Sequence, residues 1–174
     1  LSQRRGQAET SQLQEFARQH HITLNSLVQG AWALLLSRWS GQSQVCFGTT
    51  ASGRPADLAG ADTIVGLFIT TLPARVRVDE GAHSGDWLRA IQQAQAEDRR
   101  FGHVPLSELH RLSGLTPGTS MFDSLVVFEN YPVGDATAGA HGLLVRELDA
   151  REATNYPLTV VVSPGERLSV ELGY

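Results

Sequence analysis

Leu24-Asn25-Ser26-Leu27-Val28-Gln29-Gly30-Ala31-Trp32-Ala33-Leu34-Leu35-Leu36-Ser37-Arg38-Trp39 carries apolar residues around most of a helical circumference. That pattern predicts a largely buried helix. Ser40-Gly41 stops it, and a short strand, Val45-Cys46-Phe47-Gly48-Thr49-Thr50, follows. Upstream, Leu13, Phe16 and Ala17 recur at helical spacing, with Thr10 or Ser11 as the cap and a break at Ile22-Thr23. Downstream, Ala51 to Asp62 is rich in Gly, Pro and Asp and reads as a loop. Ile64 to Val78 is a long or bent strand broken at Pro73. Its end has one wet face, because Val76 and Val78 alternate with Arg75 and Arg77.

Asp86 to Arg100 reads as an amphipathic helix through Trp87, Leu88, Ile91, Ala94 and Gln95. Pro105 opens a short helix, Leu106 to Leu112. Phe122 to Tyr131 is a strand ended by Pro132, and Val133 to Gly142 a loop. Leu143 to Leu148 alternates as a half-exposed strand. Pro157 to Val162 and Leu168 to Leu172 form a hairpin around Ser163-Pro164-Gly165-Glu166. Helices cluster early and strands late, without a βαβ repeat or a dinucleotide glycine fingerprint. The fold class is therefore mixed α+β, a mixed sheet with helices packed on it, in one domain.

Composition narrows the chemistry. The chain has 174 residues, a formal charge of −4 and 14 basic residues, all of them Arg. The acidic balance argues against a nucleic-acid or acidic-membrane surface. With no Lys, a lysine Schiff base or P-loop lysine is excluded. One Cys excludes an internal disulfide framework and a cysteine zinc cluster. No apolar run approaches the ~20 residues of a membrane span. Leu1-Ser2-Gln3-Arg4-Arg5 lacks a signal peptide's apolar core. These features lead to the expectation of a cytoplasmic protein.

His20-His21 suggests the paired His of an acyltransferase general base, but Asn25-Ser26 stands where Asp-Gly would be needed. A helix-terminal His, favourable at the negative end of the dipole, is the simpler reading. His103 and His110 lie seven residues apart and could share a helical face; with no carboxylate at ligand spacing they make a poor metal site. Cys46, inside an apolar strand, reads as a small buried hydrophobe. In Gly48-Thr49-Thr50-Ala51-Ser52-Gly53-Arg54-Pro55, two glycines allow close backbone approach and Arg54 offers a planar donor fork suited to a carboxylate. A solvated turn is the other reading of the same residues.

Several stretches together resemble the C-terminal half of condensation domains from nonribosomal peptide synthetases. They are Leu24 to Trp39, Gly48 to Pro55, Val65-Gly66-Leu67-Phe68-Ile69-Thr70-Thr71-Leu72-Pro73 (like VGxFxNTxP, with Thr70 where Asn is usual), and His103-Val104-Pro105-Leu106-Ser107-Glu108-Leu109. Phe122-Asp123-Ser124-Leu125-Val126-Val127-Phe128-Glu129-Asn130-Tyr131-Pro132 and Thr154-Asn155-Tyr156-Pro157-Leu158 complete the series, in the family's order. The resemblance implies one chloramphenicol acetyltransferase-like lobe, residues 1–174, trimmed at both ends, without the N-terminal lobe that bears the catalytic HHxxxDG motif. It implies peptide-bond formation between aminoacyl or peptidyl thioesters on two carrier proteins. No cofactor is bound directly, and each carrier brings a phosphopantetheine arm. The implied partners are the N-terminal lobe, donor and acceptor carrier proteins and a neighbouring adenylation domain, not nucleic acid or membrane.

No catalytic residue is expected in this lobe. Arg54, Ser52, Gly53, Thr70, Thr71, Glu129 and Asn130 are the structural and tunnel residues that the resemblance marks. Arg54 would pair with the Asp of HHxxxDG, and Ser52 would face the tunnel unless it is a turn serine. Glu129 and Asn130 would end a channel-lining strand, where a carboxylate meets an ammonium or caps the strand. The same fold also serves epimerisation and heterocyclisation, which are the alternatives within the family; Phe128-Glu129-Asn130-Tyr131-Pro132 favours condensation, because epimerisation relatives usually differ at that strand. A non-catalytic partner-recruiting lobe is the alternative of another class. Leu125, Val126, Val127 and Phe128 in succession require cover on both faces of their strand, so an isolated lobe is expected to expose apolar surface there.

Overall fold

The first helix, α1 (Gln7–Gln19), starts before the expected cap. This computed structural model describes residues 1–52, 60, 63–66, 68–129 and 154–174, excepting the side chain of residue 52. Gly6 is the N-cap, and its N–H donates to Glu9 Oε2 at 3.2 Å. Thr10 lies inside the first turn, 1% exposed, with its hydroxyl donating to Gly6 O and accepting from Leu168 N, both at 3.0 Å. A buried backbone N–H must find an acceptor, and Leu168 finds Thr10 from 158 residues away, which local spacing cannot show.

Helix α2 (Leu24–Ser40) has the expected ends. Thr23 Oγ1 accepts from Ser26 N at 3.1 Å, and Gly41, at φ 69°, closes the last turn through Ser37 O. The left-handed φ favours a glycine there. Its burial differs from the expectation. Ser26, Gln29, Gly30, Trp32 and Ala33 are buried, while Leu34, Leu35 and Trp39 stay 41%, 40% and 72% exposed. The helix lies on one layer only, so only one side has anything to pack against.

Six strands form one mixed sheet in the order β1-β6-β5-β4-β2-β3. They are β1 (Ser2–Arg4), β2 (Gln44–Ser52), β3 (Ile69–Arg77), β4 (Ser124–Phe128), β5 (Leu158–Ser163) and β6 (Ser169–Gly173). β2, β4 and β5 run parallel, and the other three are antiparallel to their neighbours. The hairpin of β5 and β6 is as expected; β1, which zips onto β6, was not. Pro73 does not break β3, which is continuous opposite Gly48. An edge strand tolerates proline because one side of its backbone has no strand to pair with. The expected strand before Ile69 does not form among the described residues, and β4 starts at Ser124 rather than at Phe122. The expected loop and strand between 133 and 148 lie outside the described residues.

Alternation and register assign the two faces. Val45, Phe47, Ala74, Val76, Val126, Val160 and Val162 meet α1, α2 and α3 (Ser84–Arg99) in one core. Trp32 Nε1 reaches across the layer to donate to Ser124 Oγ at 3.2 Å. On the opposite face Phe122 covers Gly48 and Leu125 and stacks on Tyr156, centroids 5.3 Å apart. Leu125 and Val126 are thus buried on both faces of β4, at 4% and 0% exposure. The expected bare strand is covered there by the chain's own aromatic pair, and large exposed apolar side chains sit on α2 instead.

A methyl group at Gly48 would clash with the Phe122 ring and come within 2.9 Å of Leu125 Cδ1. Gly48→Ala is expected to cost about 1–3 kcal/mol by displacing this packed ring, measurable as a lower urea midpoint with unchanged m-value. A midpoint equal to wild type would show that Phe122 moves aside freely.

Candidate functional site

The site is built where β2, β4 and β5 end. Three parallel strands deliver their carboxyl ends to the same edge, the usual place for function on such sheets. Ser52 is the last residue of β2, its backbone paired with Ile69. The register that pairs Gly48 with Leu125 and Thr49 with Val126 brings the ends of β2 and β4 side by side. Gly53, Arg54 and Asn130, and the side chain of Ser52, lie outside the described residues.

Glu129 directly follows β4 and is half-buried. Its N–H donates to Val162 O at 2.8 Å, which fixes the backbone against β5. Its Oε2 accepts from Ser163 Oγ at 2.9 Å. Ser163, the last residue of β5, was not singled out by sequence reading. Nothing in the spacing of 34 residues signals the contact; the parallel register of β4 and β5 creates it.

Thr70 and Thr71 are not brought together. They alternate across β3, Thr70 opposite Ala51 on the helix side and Thr71 opposite Thr50 on the other. Thr70 Oγ1 is buried with no hydrogen-bond partner among the described residues, an uncommon state for a native hydroxyl.

A polar network behind β2 was also missed. Gln29, 1% exposed, donates through Nε2 to Asn25 Oδ1 and Thr49 Oγ1, both at 2.9 Å. Gln95 Nε2 donates to Gln29 Oε1 at 2.7 Å. The network ties α2 and α3 to the half of β2 that ends at Ser52. A gap of ≈ 20 Å³ beside it, room for one water, is also lined by Asp98. Burial, and then the neighbouring Glu97 charge, push the Asp98 carboxyl above its ordinary pKa. The available signals were a Gln within an apolar helix and Gln95 on the buried face of its own.

The other candidates take structural places. His20 is the C-cap of α1, its ring 4.3 Å from Phe16 and pressed on Gly85, where a Cβ would clash. His21 adopts φ 54° at the turn. His103 precedes α4 (Leu106–Leu112), so it does not share a helical face with His110, whose Nε2 lies 2.7 Å from Thr119 O. Cys46 is half-buried rather than buried; burial pushes its thiol up and so disfavours the thiolate, while the Arg75 charge pulls the other way. Among the described residues no group of three His, Cys, Asp or Glu could hold a metal, and no helix is long and apolar enough to cross a membrane. A cleft of ≈ 280 Å³ lies between α4 and Phe122–Tyr156, lined by Leu106, His110 and Met121.

Chemically, the strand edge offers a fixed carboxylate beside a hydroxyl. That arrangement can hold a cation or an ammonium group.

The family model described as "Condensation domain" matches residues 2–174. The chain is 50% identical over 165 residues to a linear gramicidin synthase of Brevibacillus parabrevis, covering 95% of this chain and 3% of the relative. It is 46% identical over 159 residues to the chondramide synthase of Chondromyces crocatus, covering 91% of this chain and 4% of the relative. The chain therefore spans only a few per cent of the length of these curated relatives. The condensation domain of a monacolin K polyketide synthase superposes with a TM-score of 0.77 at 21% identity, over 98% of this chain and 40% of the other. The first condensation domain of the calcium-dependent antibiotic synthetase superposes with a TM-score of 0.75 at 18% identity, over 99% of this chain and 39% of the other.

Proposed function

This chain belongs to the condensation-domain family, and from that premise we propose that it forms the C-terminal lobe of a domain that joins carrier-bound thioesters by amide bonds in nonribosomal peptide synthesis. The fold is the mixed α+β, chloramphenicol acetyltransferase-like arrangement of its structural neighbours. The observation that carries the reading is the strand edge, where Glu129 and the end of β2 stand together on a sheet whose helices α1, α2 and α3 pack on the other face.

In the proposed reaction the acceptor's amine attacks the donor's thioester carbonyl. The C–N bond forms, the C–S bond breaks, and the amine proton leaves with the phosphopantetheine thiol. The HHxxxDG sequence does not occur in these 174 residues, so the base belongs to a partner lobe. This chain contributes a wall that orders the two arms, which lowers the entropic part of the barrier. Glu129 receives the acceptor as its ammonium form, which gives one proton to the partner lobe's base before the free amine attacks. Arg54 braces the partner lobe's His loop through its Asp. It is no base near neutral pH, because a guanidinium stays protonated there. Thr71 belongs to the wall's face of β3, and Ser52, Gly53 and Asn130 are the further tunnel residues that the resemblance assigns. The adenylation domain and two carriers are the remaining partners, and the setting is cytoplasmic.

Incubation with donor- and acceptor-loaded carriers, read by mass spectrometry, tests this. The intact module is expected to release dipeptidyl product, and this chain alone none above the no-enzyme control. Turnover by the chain alone, or epimerised donor without a peptide bond from the module, would overturn the proposal.

A further inference from the structure

We propose that Ser163 is a positioning residue for acceptor recognition, acting through Glu129; this rests on the reading of Glu129 as the ammonium-facing carboxylate. Three observations carry it. Ser163 Oγ donates to Glu129 Oε2 at 2.9 Å across the parallel pair of β4 and β5. The Glu129 backbone is held to the same strand through Val162 O at 2.8 Å. Among the described residues, Glu129 Oε1 has no partner. Both residues are half-buried.

A free glutamate has three rotatable side-chain bonds and sweeps a wide volume. Here one carboxylate oxygen is occupied and the main chain is anchored, so the second oxygen keeps one position. An ionised carboxylate accepts several hydrogen bonds, and a charge-assisted one from an ammonium is stronger and shorter than a neutral one. A fixed, half-desolvated oxygen at the mouth of three parallel strands thus recognises a primary or secondary amine, and it ranks acceptors by whether their amine can reach that point. Ser163 also pairs with Ser169 in the β-ladder, but through backbone only. Removing its hydroxyl therefore leaves the hairpin intact.

The test uses the intact synthetase module and steady-state product formation with varied acceptor. Ser163→Ala is expected to raise the acceptor KM about fivefold, the size of a part-exposed charged hydrogen bond. The donor KM and kcat should hold within about twofold, since the hydroxyl acts on positioning of one substrate. Ser163→Thr, which keeps the hydroxyl, should restore the acceptor KM. Adding Ser163→Ala to Glu129→Gln should cause no further rise, because both changes break one interaction. An unchanged acceptor KM in Ser163→Ala alongside a raised one in Glu129→Gln overturns the inference and leaves the function of Glu129 standing. Additive effects of the two changes overturn it as well. An unchanged acceptor KM in Glu129→Gln removes both the reading of Glu129 and the inference built on it.

Discussion

Phe47→Ala is expected to lower the stability of the domain by about 3–5 kcal/mol, the usual cost of emptying a buried aromatic site. Phe47 is 0% exposed and the largest fully buried side chain described. It sits mid-strand in β2, opposite Ala74, on the face that meets the helices. Ala74 is too small to fill the space, and Val126 on the next strand cannot lengthen. β2 lies between β3 and β4 and is pinned from both sides, so collapse into the cavity is limited. Urea unfolding followed by far-UV circular dichroism gives the number. Should Phe47→Ala fail to fold, Phe47→Leu, expected to lose about 1–2 kcal/mol through a smaller void, keeps the test open. A loss under about 1 kcal/mol for the alanine variant would mean that the layer repacks, and that β2 is less rigid than a core strand should be.

Gln29→Leu is expected to cost about 2–4 kcal/mol despite its similar volume and greater apolarity, because it strands polar partners. Asn25 Oδ1 and Thr49 Oγ1 lose a donor and Gln95 Nε2 loses its acceptor. One water in the adjacent gap can rescue only part of this. The loss should be local as well as global. Thr49 is three residues from the end of β2, so its amides should exchange hydrogen faster than those of β5. Native-state hydrogen exchange with mass spectrometry reads that difference. Uniform protection and wild-type stability would show that the network is ornamental and that β2 is positioned by its neighbours alone.

Ser163 and Gln29 illustrate why part of the site was not legible. Glu129 was marked by the resemblance of Phe122 to Pro132 to the family's motif, a match of neighbouring residues. Its partner lies 34 residues on, at a position that reads as the turn of an ordinary hairpin. Gln29 was hidden for the opposite reason: within Leu27 to Leu36 it looks like one polar interruption of a buried helix. Only the packing of α3 and β2 against it explains why a polar group there is satisfied. Thr70 and Thr71, read together as one motif, separate because adjacent residues of a strand point to opposite faces.

The elements whose signals are short-ranged were determined by sequence: both ends of α2 from Thr23 and Gly41, the amphipathic α3, the hairpin of β5 and β6, and the alternation of Arg75, Val76, Arg77 and Val78. Capping and periodicity are set by residues within a turn or two, so they are written locally. Tertiary structure alone decided the rest. It started α1 early so that Thr10 could satisfy Leu168, and it brought β1 onto β6. It carried β3 through Pro73 by placing that strand at the edge, left Leu34, Leu35 and Trp39 outside the single layer, and set Ser163 beside Glu129. Each of these depends on which strand becomes whose neighbour. That choice is made by the burial and hydrogen bonding of residues far apart in the chain, where no local pattern records it.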